Sequence, residues 1–352
     1  MIAPPGLAGV VVADTTVGDL RGEEGFFHYR QHDAVELAAR RSFEDVCALL
    51  LDGALPRDGS FSSELRSARG VDLDVPVVGS PTAAVRTAVS LLGAAEGMRP
   101  VVDLDVAARR RDCIRVIAAL PTLVGAVHRG SPVVGRDDLG HGANLLWLLT
   151  GEEPEPSAAA ALERYLVIAL DHGFNTSTFA ARVIVSSGAD VASAVVGAIG
   201  ALSGPRHGGA PSRVLDLLDQ DDPLDALDRL VAGGGRVPGF GHRVYRTEDP
   251  RATFLRDVAS SVGARRYDVA LAVERAATEL LAPKGLSVNV ELWAAVVLDH
   301  CGIPRELFTP VFACSRVAGW CANLLEQAAD PRIIRPSARY VGPPPPEPVP
   351  EV

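Results

Sequence analysis

No apolar run in this 352-residue chain approaches the roughly 20 residues needed to span a bilayer. A membrane-spanning helix is therefore not expected. Cysteine is scarce: Cys47, Cys113, Cys301, Cys314 and Cys321 are odd in number and form no CxxC pair. That argues against a disulfide framework or a zinc ribbon and leaves buried free thiols. HExxH, GxxxxGK[ST], GxSxG and a GxGxxG between strand and helix are all missing, so no metal or redox cofactor is expected. Basic residues are outnumbered, 34 against 44 acidic, for a formal charge of −10. This disfavours a nucleic-acid surface, and any positive potential must be local, such as a cleft lined by arginines. The N-terminal Met-Ile-Ala-Pro-Pro-Gly shows no basic segment followed by an apolar one, so a cytoplasmic protein is expected.

Period-2 strands alternating with helices are also lacking, which excludes a doubly wound α/β sheet. Short β-hairpins are predicted within the first 30 residues, around Gly9–Val12, Gly18–Arg21 and Gly25–Tyr29. Beyond them the pattern is helical, and the predicted class is all-α. Ser42-Phe43-Glu44-Asp45 resembles a capping box, with Val46, Leu49 and Leu50 at helical spacing before Gly53. Further helices are predicted over 82–95, 106–120, 138–149, 157–170, 176–187 and 191–202, several apolar on more than one face. Asp222-Pro223 and Asp249-Pro250 read as N-cap and first helical residue, and another helix runs on from Tyr267.

Gly208-Gly209 and Gly233-Gly234-Gly235 bracket the start of a segment that Gly302-Ile303-Pro304 closes. Residues 208–303 thus read as a small domain inserted into a larger one formed by 1–207 and 304–342. The proline-rich stretch from 343 to 352 reads as an extended, mobile tail.

The chemistry-bearing residues fall in five clusters. In Gly239-Phe240-Gly241-His242 the glycines let the backbone turn sharply beside a ligand, and Arg251 follows at a helix start, where a guanidinium and free N–H groups suit an anion. Asp171-His172-Gly173-Phe174-Asn175-Thr176-Ser177 puts a histidine, an amide and hydroxyls at a helix start. Gly204-Pro205-Arg206-His207-Gly208-Gly209 places a third histidine between tight turns. Asn289-Val290-Glu291 offers a carboxylate where an apolar stretch begins, and Arg316 sits inside the apolar segment Val311 to Leu325. A buried guanidinium needs an anionic partner. Three histidines, one carboxylate and several separated arginines point to acid–base chemistry on a polyanionic substrate.

Taken together, GPxHGG at 204–209, PGxGHRVY at 238–245, the Asp-Pro-Arg at 249–251 and the late Arg335-Pro336 resemble citrate synthase. The resemblance runs from Gly6 to Pro336 and is closest to a short bacterial, particularly actinobacterial, branch of that family. It implies an all-α two-domain fold and a homodimer with its sites in interdomain clefts. It also implies oxaloacetate and acetyl-CoA as substrates, the latter not a cofactor. By the same resemblance His207 would stabilise the thioester enolate, with Ser177 holding its ring, and His242 would polarise the oxaloacetate ketone. His172, Arg251, Arg316 and the partner subunit's Arg335 would hold oxaloacetate. Val237, Pro238, Gly239, Phe240, Gly241 and Arg246 would hold CoA.

One position departs from the family pattern. Asn-Val-Asp is usual, whereas here Asn289-Val290 is followed by Glu291, which would be the catalytic base. The added methylene shifts the carboxylate by about 1.5 Å unless the backbone compensates. Two alternatives stay open at this point: a 2-methylcitrate synthase using propionyl-CoA, and a non-catalytic sensor of oxaloacetate or CoA.

Overall fold

Fifteen α-helices and one three-stranded antiparallel sheet make up most of the regular structure in the computed structural model, which describes residues 2–205, 207–208, 211–245 and 247–346. The sheet comes first: β1 (Gly18–Arg21), β2 (Phe26–Tyr29) and β3 (His32–Asp33), with Leu20 opposite Phe27 and Tyr29 opposite His32. The helices follow as α1 (Ala34–Arg40), α2 (Phe43–Asp52), α3 (Ser60–Ser67), α4 (Pro81–Ala95), α5 (Val106–Arg129), α6 (His141–Thr150), α7 (Pro156–Ile168) and α8 (Thr176–Ser186). They continue as α9 (Val191–Leu202), α10 (Pro211–Leu218), α11 (Pro223–Ala232), α12 (Pro250–Ser261), α13 (Tyr267–Leu281), α14 (Val290–His300) and α15 (Phe308–Ala328). The predicted all-α class, with a short β-hairpin at its start, is what the chain builds.

Local chemistry sets the helix starts. Ser42, Asp190, Asp222, Asp249 and Asn289 each accept a backbone N–H from the first turn of the helix they precede. A proline follows the cap in α4, α7, α11 and α12, where its missing N–H costs no hydrogen bond. Gly53 ends α2 in the left-handed conformation, with φ +83°.

Two local expectations fail. Val10–Val12 form no strand; Val11 is fully exposed and no neighbouring strand supplies a ladder partner there. And α5 runs through Pro121 to Arg129 rather than stopping at 120. Proline removes one intrahelical bond, but the buried residues on both sides of it, from Leu120 to Val127, hold the helix on course.

The centre of the molecule is α9 and α15. Helix α9 is apolar on every face and lies among α4, α5, α8 and α15. Helix α15 also touches α2 and α7, and its Val311, Cys314, Val317, Trp320 and Cys321 are fully buried. All five cysteines are buried and free, as their spacing suggested. Helices α10 to α14 pack on one another, with α12 and α14 resting on α7. This arrangement brings the loop before α8, the turn before α12 and the starts of α14 and α8 toward one another. Among the described residues, no helix is long and apolar enough to cross a membrane.

Candidate active site

The segment between α7 and α8 carries His172, and the small sheet buttresses it. From β2, the Tyr29 hydroxyl faces the carbonyls of Val167 (3.1 Å) and Ile168 (3.0 Å) and accepts the N–H of Asp171 at 3.3 Å. Phe27 sets its ring edge-on to His172, with centroids 5.3 Å apart. On the other side α15 comes so close that a Cβ on Gly319 would lie 2.2 Å from the Leu170 carbonyl. Only glycine fits there. His172 is thereby buried, and neither ring nitrogen has a hydrogen-bond partner among the described residues. Burial, together with the charges of Arg251, His242 and Arg316, holds its pKa well below the usual imidazole range, so the ring is neutral.

Asn175 caps α8, its side-chain oxygen accepting the N–H groups of Ser177 and Thr178, both at 3.1 Å. That fixes Ser177, whose hydroxyl oxygen accepts the indole N–H of Trp320 at 3.1 Å and lies 2.9 Å from His207 Nε2. The imidazole of His207 is partly buried and its pKa is lowered to about 4, by burial first and by Arg316 second. At neutral pH it too carries no charge. Ser177 Oγ thus lies within hydrogen-bond distance of His207, while its own proton goes to Asn175 Oδ1 at 2.8 Å.

The Gly239–His242 turn is tied to the start of α14. Gly241 N–H donates to Ser287 O (2.8 Å), Asn289 N–H to Gly239 O (2.8 Å), and Asn289 Nδ2 to Gly241 O (2.8 Å). Gly239 has φ +80°, and a Cβ there would sit 2.9 Å from that of Leu292. Glu291, two residues beyond Asn289, is thus placed by the same hydrogen bonds that shape the His242 turn. The backbone N–H groups of Val244 and Tyr245 both donate to His242 Nδ1 at 3.1 Å. In the neutral ring this puts the proton on Nε2. That nitrogen lies 3.4 Å from Arg251 Nη2, so two donors stand side by side, and one oxygen atom between them could accept from both.

Asp249 organises Arg251. Fully buried, it caps α12 and receives Arg251 Nε (3.0 Å) and Nη2 (2.8 Å), and its second oxygen also accepts the N–H of Val290 (3.1 Å). The sequence marked Asp249 as an N-cap only. Its second role, linking α12 to the start of α14, depends on a residue 41 positions away.

Glu291 itself is half-buried, and burial pushes its pKa up to about 7 against the pull of Arg236, the Gly239 N–H and Arg251. A carboxyl poised there can take up or release a proton at neutral pH.

Arg316 is buried on α15, with Nε donating to Ala169 O (2.8 Å) and the guanidinium 4.7 Å from the Phe312 ring centroid. Burial and the nearby Arg251 lower its pKa to about 10, with Asp171 opposing the fall. It remains charged at pH 7. No carboxylate of the described residues lies within ion-pair distance of it.

A cavity of about 310 Å³ opens beside this cluster, lined in part by Val237, Phe240, Gly241 and His242. Pro238 and Gly239 do not line it; Gly239 faces Leu292 instead. Arg236, Arg243 and Lys284, the chain's only lysine, add positive charge to its wall. Sequence reasoning passed over Arg236 and Lys284, because cations on loops carry no local pattern. Arg246 lies outside the described residues. Arg335 is exposed and stands apart from the cluster: its neighbour Ile334 is bound to Ser186 at the far end of α8, about 13 Å along that helix from Ser177.

Comparison with known proteins identifies the family. The family model described as citrate synthase, C-terminal domain, matches residues 6–337. "Putative citrate synthase 2" of Mycobacterium tuberculosis is 41% identical over 358 residues, covering 98% of this chain and 94% of that protein. The 2-methylcitrate synthase of the same species is 37% identical, covering 96% and 90%. Among solved structures, the ternary complex of carboxymethyl coenzyme A and oxaloacetate with citrate synthase from Thermoplasma acidophilum superposes with a TM-score of 0.89 at 25% identity, covering 97% of each chain. The chain belongs to the citrate synthase family, and so to the enzymes that transfer an acyl group and convert it to an alkyl group in doing so.

Proposed function

We propose that this enzyme condenses acetyl-CoA with oxaloacetate and hydrolyses the resulting citryl-CoA to citrate and CoA. The observation that carries the reading is the joining of the His242 turn to the helix of Glu291, beside two neutral imidazoles and two buried guanidinium groups.

Oxaloacetate places its ketone oxygen against His242 Nε2–H, and its carboxylates take the charges of Arg251 and Arg316. His172, neutral and without a hydrogen-bond partner among the described residues, contributes a further hydrogen bond. Acetyl-CoA enters along the cavity lined by Val237, Phe240 and Gly241, with Arg236 and Lys284 near its phosphates. Glu291, ionised, removes a methyl proton, and charge builds on the thioester oxygen. The uncharged His207 meets that oxygen with Nδ1–H once the Ser177 hydroxyl, which in the unliganded protein donates to Asn175 Oδ1 at 2.8 Å, turns its proton toward Nε2, and this supplies a donor where charge develops. The enol carbon then attacks the ketone while His242 donates its Nε2 proton to the new alkoxide, and the proton taken up by Glu291 restores the neutral imidazole, so that both groups return to their starting states. Water finally hydrolyses the thioester.

Choice of acyl group is the finer step. A single methylene is discriminated by roughly 10–200-fold in an apolar pocket. The greater identity to the putative citrate synthase than to the 2-methylcitrate synthase favours acetyl-CoA. Oxaloacetate-dependent release of CoA thiol, measured with both thioesters, should give the larger kcat/KM for acetyl-CoA. A larger value for propionyl-CoA would make this a 2-methylcitrate synthase, and no release with either would end the reading.

The exposed Arg335, remote from its own Ser177, fits a residue that completes the site of a second subunit in a homodimer. Arg335→Ala and Glu291→Gln should each be inactive, yet the two co-expressed should recover about a quarter of wild-type activity. Random pairing makes half the dimers hybrids, each with one intact site. No recovery from two inactive variants would place Arg335 in its own subunit's site, and an active Arg335→Ala would place it outside the mechanism.

A further inference from the structure

Tyr245 follows His242 by three residues and is 4% exposed. Its backbone N–H donates to His242 Nδ1, which locks the residue to the imidazole. Its ring packs against both candidate substrate-binding histidines, 4.7 Å from His242 and 5.6 Å from His172 by centroid. Yet its hydroxyl, buried in this setting, has no hydrogen-bond partner among the described residues.

A buried hydroxyl without a partner destabilises the fold, whereas phenylalanine would fill the same space without that cost. Tyrosine at this position therefore needs an acceptor that the described residues do not provide. The surroundings say what it is. Tyr29, another buried tyrosine beside the site, satisfies its oxygen with backbone groups of α7 and the segment after it. Tyr245 instead lies within the field of Arg251 and Asp249, beside His172 with its two free nitrogens and beside the paired donors His242 Nε2 and Arg251 Nη2. Burial pushes its phenol well above the usual range, so it stays protonated and acts as a donor. The carboxylate that acts on it, Asp249, already accepts from the backbone and side chain of Arg251 and from the Val290 N–H. What is missing is an oxygen-rich anion.

We propose that the Tyr245 hydroxyl donates a hydrogen bond to oxaloacetate bound between His242 and Arg251, making Tyr245 a substrate-binding and orienting residue of this enzyme. The proposal rests on the oxaloacetate reading of the site and deepens it. It assigns a function to a residue whose only local signal is its place in the Gly-His-Arg-Val-Tyr run.

The test is Tyr245→Phe, followed by calorimetric titration with oxaloacetate in the absence of acyl-CoA, and by melting curves with and without oxaloacetate. The variant should melt at or above the wild-type temperature without ligand. It should bind oxaloacetate about 10- to 100-fold more weakly, the range for a lost hydrogen bond to a charged group, and show a smaller ligand-induced rise in melting temperature. KM for acetyl-CoA should be unchanged. Equal affinity in the two proteins would overturn the role of Tyr245 and leave the oxaloacetate reading intact. A variant that melts lower without ligand, or fails to fold, would mean the hydroxyl is structural and would also overturn it. If the wild type itself binds no oxaloacetate, both readings fall together.

Discussion

Glu291→Gln abolishes turnover while leaving oxaloacetate affinity within a few-fold of wild type. The amide cannot accept the methyl proton, so kcat should fall by about 10²–10⁴, whereas the cations that hold the diacid are untouched. The wild-type pH profile reports the same group. A base must be ionised, and this carboxyl is pushed up to about 7, so kcat/KM for the thioester should rise about tenfold per pH unit below 7 and level off above it. A flat profile from pH 5.5 to 8 would remove Glu291 from the proton transfer, as would a fully active glutamine variant.

Stability separates lost chemistry from lost structure. The folded carboxyl holds its proton up to about pH 7, well above the range of an exposed glutamate. The folded state thus binds more protons than the unfolded one in that window, and stability falls as pH rises through it. Glutamine removes this penalty. Glu291→Gln should therefore melt a few degrees higher than wild type at pH 8 and no differently at pH 4. A lower melting temperature at pH 8 would say that the carboxylate is a structural anion. Glu291→Asp serves as the opposite control: if the backbone has adjusted to the longer side chain, shortening it displaces the carboxylate by about 1.5 Å and costs on the order of 10²-fold in rate. Aspartate that works better would show the longer side chain to be the poorer base here.

Much of this was legible in the chain because it is written locally. The Asp-Pro pairs at 222–223 and 249–250 mark helix starts by their own chemistry where a helical pattern follows, as it does not after Asp330-Pro331, and the Gly-Phe-Gly-His turn announces close backbone approach. What stayed hidden depends on distant partners. Trp320 steadies Ser177 from 143 positions away, and Tyr29 holds the Asp171 segment from 142. Pro121 misled because its cost is local while the packing that offsets it is not. Val10–Val12 misled for the converse reason: alternation favours a strand, but a strand forms only where another runs beside it. Tyr245 looked like one more aromatic in a motif. Only the unmet hydroxyl in three dimensions sets it apart.

Arg316→Met should raise KM for oxaloacetate by about 10²–10³-fold, the range expected when one side of a buried, hydrogen-bonded charge pair is removed. The argument starts from the unliganded protein. The guanidinium is 1% exposed, and its Nε bonds Ala169 O. Asp171 pulls on its charge through space and Arg251 opposes it. Such a cation is a poor stabiliser of a fold, because its desolvation is not repaid by a direct partner. Methionine fills most of the volume and needs none. Asp171, already raised by burial and held down by Arg316 first among its neighbours, would then take up a proton at higher pH rather than stay as an isolated anion. The unliganded variant should consequently melt within a few degrees of wild type, while the rise in melting temperature caused by oxaloacetate should vanish. KM for acetyl-CoA, whose cavity lies toward Lys284, should hardly change. An unaltered oxaloacetate KM would show that the buried charge serves the packing of α15 and not the substrate, and would leave Arg251 to hold the diacid without it.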